Sequence, residues 1–145
     1  MKPFFLFLAT LLFYPAGGSS NAPSASADGP ELKLKAPRVR FLRPMTPNQR
    51  RRTRITIRIT AKLNKLSEAK DLEDYYCLEE VWDWDDDTDS EYEPDCDPYE
   101  DGMDLKERFS ASHQYRYPGT YNVWLRLKRN GKTVLAGSTN VQIRN

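Results

Sequence analysis

The sequence predicts an all-β protein, an antiparallel β-sandwich of about seven strands. Apolar and polar residues alternate through several short segments, most clearly over residues 54–63, where every second position holds Ile, Ala or Leu. Turn-forming residues separate these segments, and Asn130-Gly131 is a strong hairpin signal. Helix signals are few and heptad repeats are absent, so neither a helical bundle nor a coiled coil is expected.

The first 22 residues have the three-part layout of a cleaved signal peptide. Met1-Lys2 gives a positive start, residues 4–14 are apolar and uncharged, and small residues follow as far as Ala22, after which cleavage is expected. The apolar run is too short to span a bilayer, which needs about 20 residues. The expected product is a secreted protein, extracellular or periplasmic, with no transmembrane segment once the leader is removed.

A flexible linker is expected between the leader and the folded domain. Residues 23–30 are Ala, Ser, Pro, Asp and Gly with no periodicity. Alternation at Leu32, Leu34, Val39 and Phe41 predicts a first strand that is interrupted at Pro37. We place the domain boundary there, with residues 23–36 as linker and residues 37–145 as the sandwich domain.

The remaining strands follow from the same alternation, with three irregular places. Glu80 interrupts an inward row and predicts a bulge or an exposed strand start. The segment 117–120 has the chemistry of a type II turn, with Gly119 at the position that needs positive φ. In the last strand the inward parity flips across residues 137–140, which predicts a kink or a change of sheet. The expected inward rows are Leu78, Trp82 and Trp84; Phe109, Ala111, His113, Tyr115 and Tyr117; Tyr121, Val123, Leu125 and Leu127; and Val134, Ala136, Val141 and Ile143.

Cys77 and Cys96 are the only cysteines. In an exported protein such a pair favours a disulfide over free thiols. It would close a loop of about 20 residues and stabilise the fold by roughly 3 kcal/mol. A zinc site is the weaker alternative, because two cysteines and one histidine fall short of a full ligand set.

Two stretches resemble the polycystic kidney disease (PKD) domain family. The first is Trp82-Asp83-Trp84-Asp85-Asp86-Asp87, in which Asp85 and Asp87 stand where the family pattern has glycines. The second and closer one is His113-Gln114-Tyr115-Arg116-Tyr117-Pro118-Gly119-Thr120-Tyr121, followed by an alternating strand. The resemblance covers about residues 37–145, and its motifs cluster in residues 82–127.

The resemblance implies a seven-strand immunoglobulin-like sandwich. Domains of this family are mostly extracellular, non-catalytic modules that contact proteins or polysaccharides, so a binding or adhesion role is expected. Tyr121 resembles a tyrosine-corner residue, whose hydroxyl ties a loop to its strand. His113 is expected to make a structural hydrogen bond near the acidic turn, since a lone histidine has no visible catalytic partner.

The segment 83–104 is strongly acidic, with a carboxylate at every second position from Asp83 to Asp97. Calcium is a possible cofactor, because it takes six to eight oxygen ligands in flexible geometry. An EF-hand frame does not fit this segment. The alternative is a solvated acidic loop stapled by the disulfide. The candidate calcium ligands are Asp83, Asp85, Asp86, Asp87 and Asp89.

The charges are segregated along the chain. Residues 31–65 hold twelve Lys or Arg and one acid, residues 66–104 hold one Lys and eighteen acids, and residues 105–145 hold eight Lys or Arg and one acid. Folding could bring the basic strands against the acidic loop, or leave a basic surface for a polyanion. The candidate polyanion contacts are Arg50, Arg51, Arg52 and Arg54.

The expected function is therefore a secreted, non-catalytic binding or adhesion module that contacts extracellular protein or polysaccharide. Trp124 has outward parity between Asn122 and Arg126, where an indole could anchor a partner or stack on a sugar ring. Nucleic acid is a poor partner, because the net charge of the chain is only +1. The alternative function is a calcium-stabilised structural accessory protein. The sequence does not indicate an oligomeric state.

Overall fold

A computed structural model describes residues 29–40, 46, 48 and 54–144. The predicted signal peptide, residues 23–28 of the predicted linker and three of the four candidate arginines (Arg50, Arg51 and Arg52) lie outside these residues. Among the described residues, no helix has the length and apolar character needed to cross a membrane.

Two β-sheets pack face to face, which confirms the predicted β-sandwich. One sheet has three antiparallel strands in the order β1-β3-β6, and the other has five in the order β2-β8-β7-β4-β5. All pairings are antiparallel except the two-residue contact between β2 and β8. The strands are β1 (Glu31–Lys35), β2 (Val39–Arg40), β3 (Ile55–Asn64), β4 (Glu79–Asp83), β5 (Asp89–Tyr92), β6 (Arg108–Tyr115), β7 (Gly119–Arg129) and β8 (Lys132–Arg144). Short 3₁₀ turns cover Leu66–Glu68 and Glu73–Tyr75.

The core lies between the sheets and follows the period-two pattern. In β3 every second residue from Ile55 to Leu63 is buried, and the residues between them are exposed. Burial of one face in this way drives the two sheets together, because each buried aliphatic side chain contributes about 1.5–3 kcal/mol. The opposite sheet supplies Trp82, Val123, Leu125, Leu127, Val141 and Ile143 to the same core, with Trp84 just beyond β4.

The sandwich begins earlier than the predicted boundary at residue 37. β1 pairs with β3 over its whole length, with Leu32 opposite Leu63 and Leu34 opposite Ala61. Residues 31–35 therefore belong to the domain rather than to a linker. The alternation at Leu32 and Leu34 indicates a strand here, but the interruption at Pro37 led to a predicted boundary that is too late in the chain.

The irregularity in the last strand lies at Val134 and not at residues 137–140. β7 and β8 change register between Leu127 and Lys128, which face Leu135 and Thr133 and leave Val134 as the extra residue. From Leu135 onward the odd-numbered residues share the inner face. Gly137 is one of these inward positions, and it has no side chain because β1 approaches it closely. A Cβ at Gly137 would lie 2.8 Å from Leu34 Cδ1.

Glu80 is neither exposed nor part of a bulge, contrary to the expectation from its charge. It pairs with Leu127 in regular register and is 4% exposed. Its carboxylate accepts hydrogen bonds from Trp82 Nε1 at 3.1 Å and from Lys106 Nζ at 2.6 Å. A buried carboxylate is tolerated when it is paired and hydrogen-bonded in this way.

The turn before β7 also differs from the type II turn expected at residues 117–120. Gly119 does not have positive φ and is the first residue of β7. A Cβ at Gly119 would lie 3.3 Å from the Tyr121 ring, so glycine is needed here for the close approach of an aromatic side chain. Tyr117, expected in the inward row of β6, is 64% exposed because β6 ends at Tyr115.

The Cys77–Cys96 disulfide is present, as predicted. It joins the segment before β4 to the loop after β5, with the two Cα atoms 6.1 Å apart. β5 itself was not predicted. Its residues 89–92 are all exposed and form an edge of the five-stranded sheet inside the segment expected to be an acidic loop.

Candidate functional site

The acidic turn between β4 and β5 holds the residues that resemble the first PKD motif. Asp85 and Asp87 both adopt left-handed backbone, with φ of 58° and 61°. Asp83 Oδ1 accepts a hydrogen bond from the backbone N–H of Asp85 at 3.2 Å. Aspartate tolerates left-handed φ better than most residues because its side chain can bond nearby backbone in this way. The two aspartates that stand at the glycine positions of the motif therefore both take left-handed backbone.

Asp86 holds this turn against β6. Its carboxylate accepts a hydrogen bond from Thr88 Oγ1 and lies 2.8 Å from His113 Nε2. Partial burial by itself would raise the pKa of Asp86, but the hydrogen bonds from Thr88 and His113 outweigh burial, and the pKa lies below its ordinary value of 3.8. The structural hydrogen bond expected of His113 is thus confirmed.

Five aromatic rings extend from this turn into the core. Trp82 and Trp84 are stacked with centroids 5.6 Å apart, and Trp84 stacks on His113 at 4.6 Å. His113 meets Tyr115 edge-on at 4.7 Å, and Tyr115 packs on Tyr121 at 4.0 Å. Burial, and then the negative charge of Asp86, raise the pKa of Tyr115 well above its ordinary range. The motif residues therefore pack against one another at the end of the sandwich.

Two tyrosine hydroxyls fasten the loops around this stack. Tyr115 donates to the backbone carbonyl of Trp84 at 2.9 Å. Tyr121 donates to the carbonyl of Tyr117 at 2.9 Å, which is the tyrosine-corner bond that the resemblance implies.

The candidate calcium ligands make local contacts and do not converge. Asp85 Oδ2 accepts from the backbone N–H of Asn122 at 2.7 Å, and Asp83 lies 3.6 Å from Arg126. Asp87 and Asp89 are exposed. Across the described part of the chain, no three His, Cys, Asp or Glu side chains are grouped closely enough to hold a metal ion. Calcium stays a prediction that no structural observation favours.

Replacing Asp86 with asparagine is expected to reduce the loss of folding stability as the pH falls into the acid range. A carboxylate whose pKa is lowered by folding adds stability above its unfolded pKa, and this stability is lost as pH falls through the folded value. For Asp86 the loss falls below pH 3.8, its ordinary pKa. Urea midpoints measured between about pH 7 and pH 2 should show Asp86→Asn less stable at neutral pH, with the gap narrowing in acid. Parallel curves would contradict this role of Asp86.

Trp124 lies on the outer face of the five-stranded sheet. It is 38% exposed, whereas Trp82 and Trp84 are 2% and 0% exposed. It pairs with Ser138 on β8 and with Asp83 on β4. Further along the same face Asn122 pairs with Asn140. Both asparagines are exposed, and their side chains make no hydrogen bond within the described residues.

The three cations of β7 are each neutralised by a neighbouring acid. Lys128 pairs with Glu79 at 3.6 Å, Arg126 with Asp83 at 3.6 Å, and Arg129 with Glu73 at 2.8 Å. The basic and acidic segments thus meet on this side of the molecule. Arg54, the described member of the predicted arginine cluster, is exposed at the start of β3 in the other sheet, away from these acids.

The resemblance to the PKD family rests on the two sequence motifs. A search of protein-family models finds no match to this chain. A search of curated proteins also finds no match.

Proposed function

We propose that this chain is a secreted, non-catalytic, PKD-like binding module that contacts an extracellular polysaccharide or protein through the surface around Trp124. The observation that carries the proposal is the exposure of Trp124 on β7, the middle strand of the five-stranded sheet. Large exposed aromatic side chains on such faces are typical anchors of binding sites.

The neighbours of Trp124 favour a polysaccharide. Ser138 lies beside it, and Asn122 and Asn140 form the next outward pair of the ladder. These side chains offer amide and hydroxyl groups that can both donate and accept hydrogen bonds, as sugar hydroxyls require. An indole face supplies the apolar surface on which a sugar ring can lie.

Secretion is supported by two features. The first 22 residues have the layout of a signal peptide, and the Cys77–Cys96 disulfide is typical of proteins that fold in oxidising compartments.

Trp124→Ala is expected to weaken binding by at least about tenfold, as the loss of a binding hot spot does. Ligands are first identified on an array of glycans and extracellular-matrix proteins. Binding of each hit is then measured by acrylamide quenching of tryptophan fluorescence. Because Trp82 and Trp84 are buried, quenching reports mainly on Trp124, which the ligand should protect. Tyr117→Ala, at a more exposed aromatic residue between β6 and β7, is the control and should bind normally. Binding of an uncharged glycan or a matrix protein that survives Trp124→Ala, or an array without such hits, would overturn the proposal.

A further inference from the structure

The outer face of the three-stranded sheet carries a row of three cations. Lys33 on β1 lies opposite Lys62 on β3, and Lys62 lies opposite Arg108 on β6. The next outward row is Lys35, Thr60 and Ser110, and the row after it holds Arg58 beside Ser112. All of these outward residues are exposed. The face therefore concentrates positive charge on neighbouring strands.

Almost no acid compensates this face. The described residues contain one ion pair on it, between Lys33 and Glu31 at 3.2 Å, in which both side chains are about half exposed or more. Exposed pairs of this kind contribute little. Lys35, Lys62 and Arg108 have no acidic partner among the described residues. This contrasts with β7, whose cations Arg126, Lys128 and Arg129 each have one.

The arrangement has a cost for folding. Like charges directly opposite one another on a sheet are destabilising, and Lys62 has one on each side. Neither neighbour of Lys62 is needed for the core, since all three side chains lie on the outer face. A ligand with matching negative charge would relieve this repulsion. In the free protein the positive charges of this face would therefore lack compensation until the ligand binds.

We infer that this face binds a linear anionic polysaccharide, at a site separate from the Trp124 surface. Neighbouring strands are about 4.8 Å apart, so the row of three cations spans about 10 Å, and Arg58 and Lys62 are about 13 Å apart along β3. The array is too wide for a single small anion and suits a chain with repeated charges. A depression of about 760 Å³ lies along it, lined by residues 33–35, 60–62 and 108–110 with Asn64.

Hydroxyl groups between the cations favour a sugar chain over other polyanions. Thr60 and Ser110 lie side by side in the row next to the three cations, and Ser112 accepts a hydrogen bond from Arg58 Nε at 3.4 Å. Hydroxyls both donate and accept, which matches the hydroxyls of a sugar. The preference for a polysaccharide over nucleic acid also rests on the proposed secretion of the protein.

The test measures binding of the secreted, oxidised protein to heparin, which carries sulfates, and to polygalacturonate, which carries carboxylates. The two probes separate the possible sources of negative charge, and tighter binding to one of them identifies the group that is recognised. Lys62→Thr should weaken binding to the preferred probe by roughly fivefold and lower the slope of log affinity against log salt by about one. Lys132→Thr is the matched control, an exposed strand lysine on the other sheet, and should bind as the parent does. Trp124→Ala should leave this binding unchanged, so the failure of one proposal does not imply the failure of the other.

The same variant separates a binding role from a structural one. Lys62→Thr should raise the midpoint of thermal unfolding at low salt by about 1–4 °C, because it removes repulsion from two neighbours. A lower midpoint, or equal loss of binding in Lys132→Thr, would overturn the inference. Tighter binding of duplex DNA or polyglutamate than of either polysaccharide would also overturn it, as would self-association that is lost in Lys62→Thr, which would make a second copy the partner.

Discussion

Trp84→Ala should lower the free energy of unfolding by about 3–5 kcal/mol, the range for removing a large buried aromatic side chain. Trp84 is 0% exposed and is stacked between Trp82 and His113. Its indole N–H donates to Ser90 Oγ at 2.9 Å, and alanine would leave that partner without its bond. Because domains of this size are stable by about 5–15 kcal/mol in total, a large part of the population could unfold.

Urea unfolding followed by far-ultraviolet circular dichroism measures this loss without relying on tryptophan emission. Trp124→Ala serves as the matched control, because it removes the same side chain from an outer face where 38% of the residue is exposed. We expect the control to lose clearly less stability. Equal losses in the two variants would contradict the central position of Trp84 in the core.

Removing the disulfide with the double substitution Cys77→Ser/Cys96→Ser should cost about 3 kcal/mol, mainly because the unfolded chain regains the freedom of a loop of about 20 residues. The fold should persist, since other contacts hold the same loop. Tyr76 donates its hydroxyl to the carbonyl of Asp97 at 3.0 Å and packs on Tyr99 at 5.3 Å.

Reduction of the parent protein supplies the control for this variant. The urea midpoint of the parent with a reducing agent should approach that of the double variant, and the double variant itself should not respond to the reducing agent. An unchanged midpoint in both would show that the disulfide does not stabilise the sandwich. Loss of folded signal in the absence of urea would show that the remaining contacts cannot hold the loop.

The two outer faces of the sandwich differ in their electrostatics, which shapes the two binding proposals. On the five-stranded sheet the β7 cations Arg126, Lys128 and Arg129 are paired with acids from the segment 66–104, and exposed amide and hydroxyl groups lie near Trp124. On the three-stranded sheet Lys35, Lys62 and Arg108 lack acidic partners among the described residues. One domain can thus present a neutral aromatic surface and a basic surface that bind independently.

The core strands were predictable because their signal is local. Alternation from Ile55 to Leu63 needs no knowledge of the partner strand, since successive side chains of any strand point to opposite faces. The disulfide and the outward position of Trp124 followed from equally short-range information. β5 was missed because it is short and wholly exposed, so that no apolar alternation marked it. The boundary at residue 37 is too late in the chain because Pro37 interrupts the alternation that begins at Leu32 and Leu34.

Glu80 and the irregularity in β8 could not be placed from sequence because each depends on a distant residue. The charge of buried Glu80 is paired by Lys106, which is 26 residues away in sequence. The position of the extra residue Val134 is set by pairing with Leu127 and Lys128 on β7. The spacing of the apolar residues shows that the inward face of the strand changes between odd and even positions. The residue at which this change occurs is set by pairing with the neighbouring strand.

By itself the sequence determined the all-β class, the strand phases in the core and the cysteine pair, because each depends on alternation or on counting within one segment. Only the tertiary structure decided which charges neutralise one another. Strand order places Lys62 between Lys33 and Arg108, and Lys128 beside Glu79. The physical reason is that charge interactions depend on distances between strands, which the order of residues along the chain does not specify.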